Sequence, residues 1–443
     1  PRRAGASSWR SQPAADGSKE MSARLLPRRS VAELVRRRAA GVPADALAVA
    51  APIVEAVRSR GEAALREYAE RFGEVAAGGP LFLDRTVLNC ALTDLPVGDR
   101  RRLERVAERI RAFAEAQRRA LAAVTVTVPG GAAGHWIAPL ERAGCYAPGG
   151  RYSLPSSVLM TAVTARTAGV KEIWVASPKP GPMTLAAAAI AGADGVLAAG
   201  GAHAIAALAF GAPPGPLSPC DVIVGPGNRY VTAAKQLVAG RVAIDMVAGP
   251  SELVVFADAT ASPAVIAADL LAQAEHDPDA LPVLVALDTT LPDRVEAELA
   301  RQLADLPSGE IAGAALRNGG VVLVATVEEG IAACDALAPE HVELLLQDAA
   351  AIAPRLTHFG ALFIGAGSAE VLGDYGAGPN HVLPTAGAAR SKGGLSVYTF
   401  LRVRSWLRID DQTAARPLIE DAAWFGRIEE LEAHARSAER RLD

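Results

Sequence analysis

The chain has 443 residues, with 45 lysines and arginines against 49 aspartates and glutamates, for a formal net charge of -4. That balance argues against a nucleic-acid or anionic-membrane partner, which would reward a basic surplus. Half of the residues are apolar and 21% are charged, the composition of packed domains and not of a disordered chain.

Residues 1–20 are polar and rich in arginine and small residues, without the apolar stretch of a secretory signal. Residues 1–25 are therefore expected to form a disordered tail, with Met21 as an alternative start. Segments 30–75 carry apolar residues at i, i+3, i+4 spacing and read as helices. Segment 94–121 reads as a long, charged amphipathic helix. From residue 145 the texture changes. Short β-branched runs at 169–178, 193–200 and 220–228 end in Gly or Pro turns and alternate with alanine-rich helical stretches. A second alternating block follows, with strands expected within 251–258, 281–288, 319–326 and 360–365 and helices within 264–276 and 290–306. Alternation of this kind predicts an α/β protein with two Rossmann-like parallel sheets. Segment 412–443 reads as amphipathic helix and closes the chain. No apolar run approaches the ~20 residues that a membrane span needs.

Cys90, Cys145, Cys220 and Cys334 are widely spaced and form no CxxC pair. They read as free thiols of a reducing compartment, so a cytoplasmic location is expected.

Three constellations could carry chemistry. The first is a set of turns at predicted strand ends. "YAPGGRYSLPSS" (146–157) and "VGPGN" (224–228) sit where open α/β sheets bind ligands and where helix N-termini receive phosphate; both could equally be plain tight turns. "GAGSAE" (365–370) is a weaker dinucleotide signal because it lacks the third glycine. The second is metal. Gln273 and His276 stand three residues apart in "LLAQAEHDPDA", on one helical face, where two donors can meet one ion; a helix-end cap is the bland alternative. Asp374, His381 and His434 offer further donors. The third is an acid/base pair. In "LAPEHVELLL" (337–346), Pro339 stands where a helix could begin, and Glu340 and His341 follow it. A carboxylate beside an imidazole suits proton transfer near neutral pH. A helix N-terminal glutamate followed by a half-buried histidine would account for the same residues.

Taken in order, "VRSRGEAALREYAERF", "CYAPGG", "PSSVLM", "GGAHAIAALAFG", "VGPGNRYVTAAK", "IDMVAGPSELVVFAD", "LLAQAEHDPDA", "LAPEHVELL", "GDYGAGPNHVLPT" and "LSVYTFL" resemble the histidinol dehydrogenase family. The matches run from about residue 50 to 400 and resume at "EELEAHA". The resemblance implies a zinc-dependent, NAD-linked oxidation of L-histidinol to L-histidine, through the aldehyde, in two hydride transfers. It implies zinc ligands at Gln273, His276, Asp374 and His434, the last supplied by the partner of a domain-swapped homodimer. It implies Glu340 and His341 as the acid/base pair. Ser251, Glu429 and His434 match substrate-contacting positions, as do Gln273, His276, His341 and Asp374. Tyr146 and Asn228 match NAD-contacting positions, and His203 stands where the family usually has glutamine near NAD. The expected division groups 26–145 with 253–395 in one α/β domain, gives 146–252 to a second, and leaves 396–443 as a helical extension that swaps in the dimer. A same-fold dehydrogenase for another polar alcohol, such as a sulfonated diol, is the alternative that His203 and Arg151 suggest. A non-catalytic α/β protein that binds a metal or a nucleotide is the other.

Overall fold

The computed structural model describes residues 24–38, 41–149 and 153–442. Residues 1–23, with the tail expected there and Met21, lie outside the described residues, as does Arg151.

Fourteen strands among the described residues build three sheets. β1 (Phe82–Asp84), β4 (Arg142–Tyr146), β5 (Glu172–Ala176), β6 (Gly195–Leu197), β7 (Val222–Val224) and β8 (Ala243–Ile244) form the first, in the order β1-β6-β5-β4-β7-β8. Only β1 within it runs antiparallel to its neighbour. β9 (Glu252–Ala257), β10 (Leu281–Ala286), β11 (Gly320–Leu323), β12 (His341–Leu345) and β13 (Ala361–Ile364) form the second, wholly parallel, in the order β11-β10-β9-β12-β13. β2 (Val124–Val128), β3 (Gly131–Pro139) and β14 (Leu401–Ile409) make a small antiparallel sheet. β9, β10 and β12 are buried along their whole length. Helices cover both faces of a parallel sheet, so such strands read as continuous apolar runs without alternation.

In each parallel sheet the chain works outward on one side and then returns to the other. The crevices between β4 and β7 and between β9 and β12 are therefore topological switch points, where open sheets bind their ligands.

Three expectations are corrected. First, residues 44–146 do not group with 253–395. β1 and β4 pair within the first sheet, and helices Ala44–Arg60 and Glu62–Arg71 bury Val57 and Leu65 in one core with Ile205, Leu208 and Val231. Helix Val97–Arg119 packs Ile110 against Met160 and Val163 on the opposite face. Only the start follows the expected division: Leu26 and Leu34 join the cores of the second sheet. Second, segment 396–443 is not all helical. β14 spans nine residues of it and pairs with the full length of β3. Arg402, Arg404 and Arg408 alternate with Leu401, Val403, Leu407 and Ile409 at the two-residue period of a strand, and the two helices Arg416–Ile428 and Glu432–Glu439 follow. Third, Pro339 starts no helix. The helix Val327–Leu337 ends at Ala338 in a left-handed conformation (φ 43°), and the chain turns at Pro339 straight into β12. A residue before proline is disfavoured in the right-handed α region, which favours this stop.

Candidate active site

Two neighbouring strands of the second sheet start together at the centre of the site. Ser251 precedes β9 and Glu252 opens it; Glu340 precedes β12 and His341 opens it, in register beside Leu253. Alternation along β12 puts Glu343 on the same face as His341. Helix Pro263–Ala274 brings Gln273 over these strand ends in its last turn, and His276 follows two residues beyond. The short helix Glu370–Asp374, which begins five residues after the glycine closing β13, supplies Glu370 and Asp374.

The imidazole of His341 is buried, and its Nδ1–H donates to the Glu252 carbonyl at 3.1 Å. That bond fixes the tautomer and leaves the lone pair on Nε2. Nε2 is buried, has no hydrogen-bond partner, and lies 3.9 Å from Asp374 Oδ1. Burial pushes the His341 pKa down to about 3, so the ring is neutral at any physiological pH. Gln273 is fully buried. Its amide satisfies its surroundings when Nε2 donates to the Glu252 carbonyl (3.2 Å) and to Glu370 Oε1 (3.3 Å). The amide oxygen then faces His276 Nδ1, 3.4 Å away.

Around these groups lies an excess of negative charge. Glu252, Glu340, Glu343 and Glu370 are buried and Asp374 is half-buried. Arg38 pairs with Glu252 at 2.9 Å; among the described residues the other four have no lysine or arginine partner. Burial raises every one of these carboxyls. Glu252 reaches about 7 despite Arg38. Glu340 and Glu370 go well above the usual carboxylate range, each pushed further by Asp374 and by neighbouring glutamates. Asp374 is raised by burial, and Glu343 by burial and by Asp269 beside it. Arg38 offsets the charge of Glu252 alone, so without a further positive charge the remaining carboxyls favour their protonated forms.

A divalent cation fits this arrangement. Ligand atoms of His276, Glu370 and Asp374 lie within 4.8 Å of one another, and the Gln273 amide oxygen faces His276. One imidazole, one amide oxygen and carboxylates form a nitrogen–oxygen set suited to zinc. The orphaned His341 Nε2 faces the same place.

The structure thus brings together Gln273, His276, Asp374, Glu340 and His341, with Ser251 bonded to Glu340 through its side chain. It does not bring Glu429 or His434 to them within one chain. Both are exposed on the C-terminal helical segment, and no hydrogen bond or ion pair joins either to the cluster among the described residues. Sequence reasoning missed Glu252, Glu343 and Glu370. Acids set into apolar runs, as in "SELVVF" and "HVELLL", were the available signal. Glu370 lies in "GAGSAE", which was weighed as a dinucleotide turn; that turn delivers a carboxylate to the cluster. His381 also lies beside the site: its Nδ1–H donates to the Asp374 carbonyl at 2.9 Å, and Nε2 lies 3.4 Å from Ser157 Oγ, in the short helix Pro155–Val158.

The residues expected near NAD gather at the carboxyl ends of the first sheet. Tyr146 ends β4, and its buried hydroxyl accepts from Gly201 N at 3.1 Å. His203, in the first turn of helix Gly201–Phe210, is buried against Tyr68 and Phe72 and is tied through Nε2 to Glu74 at 2.7 Å. Glu74 also accepts from Gly200 N. Asn228 caps helix Arg229–Val238, accepting from the amides of Tyr230 and Val231, and is exposed. Gly225 ties these turns together: a Cβ there would stand 2.0 Å from the Tyr146 carbonyl oxygen.

Two parallel sheets, a neutral buried imidazole and a cation-ready carboxylate cluster define an α/β enzyme. Residues 36–442 match the family described as histidinol dehydrogenase. The chain is 48% identical over 391 residues to a Thermus thermophilus protein named histidinol dehydrogenase, covering 88% of this chain and 93% of that one. It is 41% identical over 436 residues to one of the same name from Dechloromonas aromatica, covering 97% of each. The crystal structure of histidinol dehydrogenase from Elizabethkingia anophelis superposes with a TM-score of 0.88 at 30% identity, over 95% of this chain and 99% of that one. The chain belongs to the histidinol dehydrogenase family, and it is an oxidoreductase.

Proposed function

We propose that this enzyme oxidises L-histidinol to L-histidine in two steps through the aldehyde, using zinc and NAD, as part of histidine biosynthesis in the cytoplasm. The observation that carries the reading is the unpartnered His341 Nε2, facing a cluster in which Gln273, His276, Glu370 and Asp374 offer ligand atoms to one cation. Relatives at 41–48% identity that carry the histidinol dehydrogenase name support the choice of substrate. No described residue favours the sulfonated diol: His203 is committed to Glu74.

Gln273, His276 and Asp374 hold the zinc, with Glu370 orienting the Gln273 amide. When bound, zinc supplies the positive charge that grips the amino alcohol, and NAD the acceptor for hydride. His341 receives the hydroxyl proton at Nε2 as hydride leaves the carbon, and its Nδ1–H bond to Glu252 holds the ring in that orientation. Glu340, fixed by the Glu252 amide at 3.1 Å, then draws a proton from the water that adds to the aldehyde. The resulting diol gives up its second hydride and leaves the carboxylic acid. Tyr146, His203 and Asn228 shape the two turns that receive NAD at the β4/β7 crevice. His434 and Glu429 act from a second copy of the chain, as zinc ligand and substrate contact. Their exposure suits that role, as do Trp424, Phe425 and Ile428, apolar side chains left exposed on the preceding helix, Arg416–Ile428.

The test is stoichiometry on zinc-loaded protein: two NADH per histidine formed from histidinol. Full zinc occupancy with no turnover of histidinol overturns the reading.

A further inference from the structure

A second buried polar device stands apart from the cation cluster. Lys235 and Asp245 form a buried ion pair in direct hydrogen-bond contact, with both side chains at 3% exposure or less. Lys235 lies on helix Arg229–Val238, the helix that Asn228 caps; Asp245 follows β8, next to β7. Both act on Gly225. Lys235 Nζ donates to the Gly225 carbonyl at 3.0 Å, and Asp245 Oδ2 accepts from the Gly225 amide at 2.7 Å. Asp245 Oδ1 accepts in addition from the Met246 amide.

The bland account is a stabilising salt bridge. Buried ion pairs are poor at that, because desolvating two charges offsets most of their attraction, and they are better at enforcing one conformation. Here the conformation at stake is particular. Gly225 sits at φ +113°, against the Tyr146 carbonyl, with no room for a side chain. A residue without a side chain can be held only through its peptide groups, and the pair takes hold of both. The three residues beyond it, Pro226, Gly227 and Asn228, hang between this grip and the helix that carries Lys235.

We propose that Lys235 and Asp245 are positioning residues for the dinucleotide: they lock the Gly225 peptides so that the 224–228 turn meets NAD preformed. This rests on the reading that NAD binds that turn. A turn held in its bound shape spares the ligand the cost of ordering it, so the effect falls on NAD and not on the amino alcohol, which is gripped elsewhere.

The test uses Lys235→Met, Asp245→Asn and the double variant K235M/D245N in the full chain. NAD affinity is measured by equilibrium titration, together with KM for each substrate, zinc content, melting temperature and hydrogen exchange of the segment 222–228. Loss of the grip should weaken NAD binding and raise KM for NAD by about tenfold, leaving KM for histidinol, kcat at saturating NAD and zinc content within about twofold. Exchange of the 222–228 amides should quicken in the absence of NAD. The single variants each leave a buried charge alone and can fail to fold; the double variant removes both charges and then carries the test. A folded variant that binds NAD as the parent does overturns the proposal. So does one whose affinities for NAD and histidinol fall together with its melting temperature, since that is what a purely structural pair would give. A parent protein that takes up no NAD overturns instead the cofactor reading beneath it.

Discussion

His341 Nε2 stands 3.9 Å from Asp374 Oδ1, buried and without a hydrogen bond, while the opposite nitrogen of the same ring is anchored to the Glu252 carbonyl. A lone pair kept in that state is open to a proton donor, as the role proposed for His341 requires. The ring's pKa is depressed to about 3, so between about pH 3 and 6.5 this ring binds fewer protons in the folded protein than in the unfolded chain. This contribution to stability is complete above 6.5 and is lost as pH falls toward 3. Nitrogen-15 NMR of the folded protein should show His341 neutral, with hydrogen on Nδ1, down to pH 5. A ring that titrates near 6.5 would contradict the geometry. His341→Asn should lower kcat by about 10²–10⁴-fold while zinc content is retained.

Removal of the metal should reverse the usual effect of alkali. Glu252 is raised to about 7, and Glu340 and Glu370 lie well above their unfolded values, so above pH 4.5 these three groups hold more protons in the metal-free fold than in the unfolded chain. Stability from these groups is present at low pH and is lost as pH rises through their folded values. Above 6.5 His341 no longer opposes them. The melting temperature of chelated protein should therefore fall from pH 6.5 to 8.5, and added zinc should restore it, because the cation replaces the protons. A chelated protein whose melting temperature is flat over that range would remove the link between the carboxylate cluster and the metal.

Part of this was legible beforehand. The buried runs of β9 and β10 and the Gly/Pro turns after β4 and β7 announce a parallel sheet on their own, because both faces of such strands must be apolar. Gln273 and His276 could be paired from helical spacing alone. β12 could not be recognised: Pro339 followed by Glu-His fits a helix start as well as a strand entry, and only pairing with β9 decides. Nor could the home of residues 44–121 be read. Helices amphipathic enough to pack on either sheet carry no mark of which one, and Val57 and Leu65 are matched to Ile205 only by the tertiary fold. Glu370 escaped notice because a lone acid after a glycine turn is ordinary until Asp374, Glu340 and Glu343 are found around it.

Glu370 provides a sharper probe than the ligands themselves. Its Oε1 accepts from the Gln273 amide, and its own amide donates to Glu343 Oε1 at 2.7 Å. Glu370→Ala removes the acceptor that turns the Gln273 oxygen toward His276. Zinc affinity should drop about 10–100-fold, measured by competition with a chromogenic chelator. Unchanged affinity would mean that Gln273 keeps its orientation without help.

Subunit exchange can decide where His434 acts. In a single chain it is exposed, on the helix Glu432–Glu439, apart from the cluster of His276, Glu370 and Asp374. Asp374→Ala and His434→Ala should each abolish activity. Suppose that His434 serves the neighbouring copy. A mixed dimer then has one site that lacks both groups and one that is intact, with Asp374 from one protomer and His434 from its partner. Random mixing makes half of the dimers mixed, so co-refolding the two inactive variants should restore about a quarter of the parent activity. If His434 served its own chain, each site of the mixed dimer would lack one ligand and activity would stay at zero. Deletion of 416–443, which removes Trp424, Phe425 and Ile428 with the helix that carries them, should leave a monomer on sedimentation, inactive and unable to complement either variant.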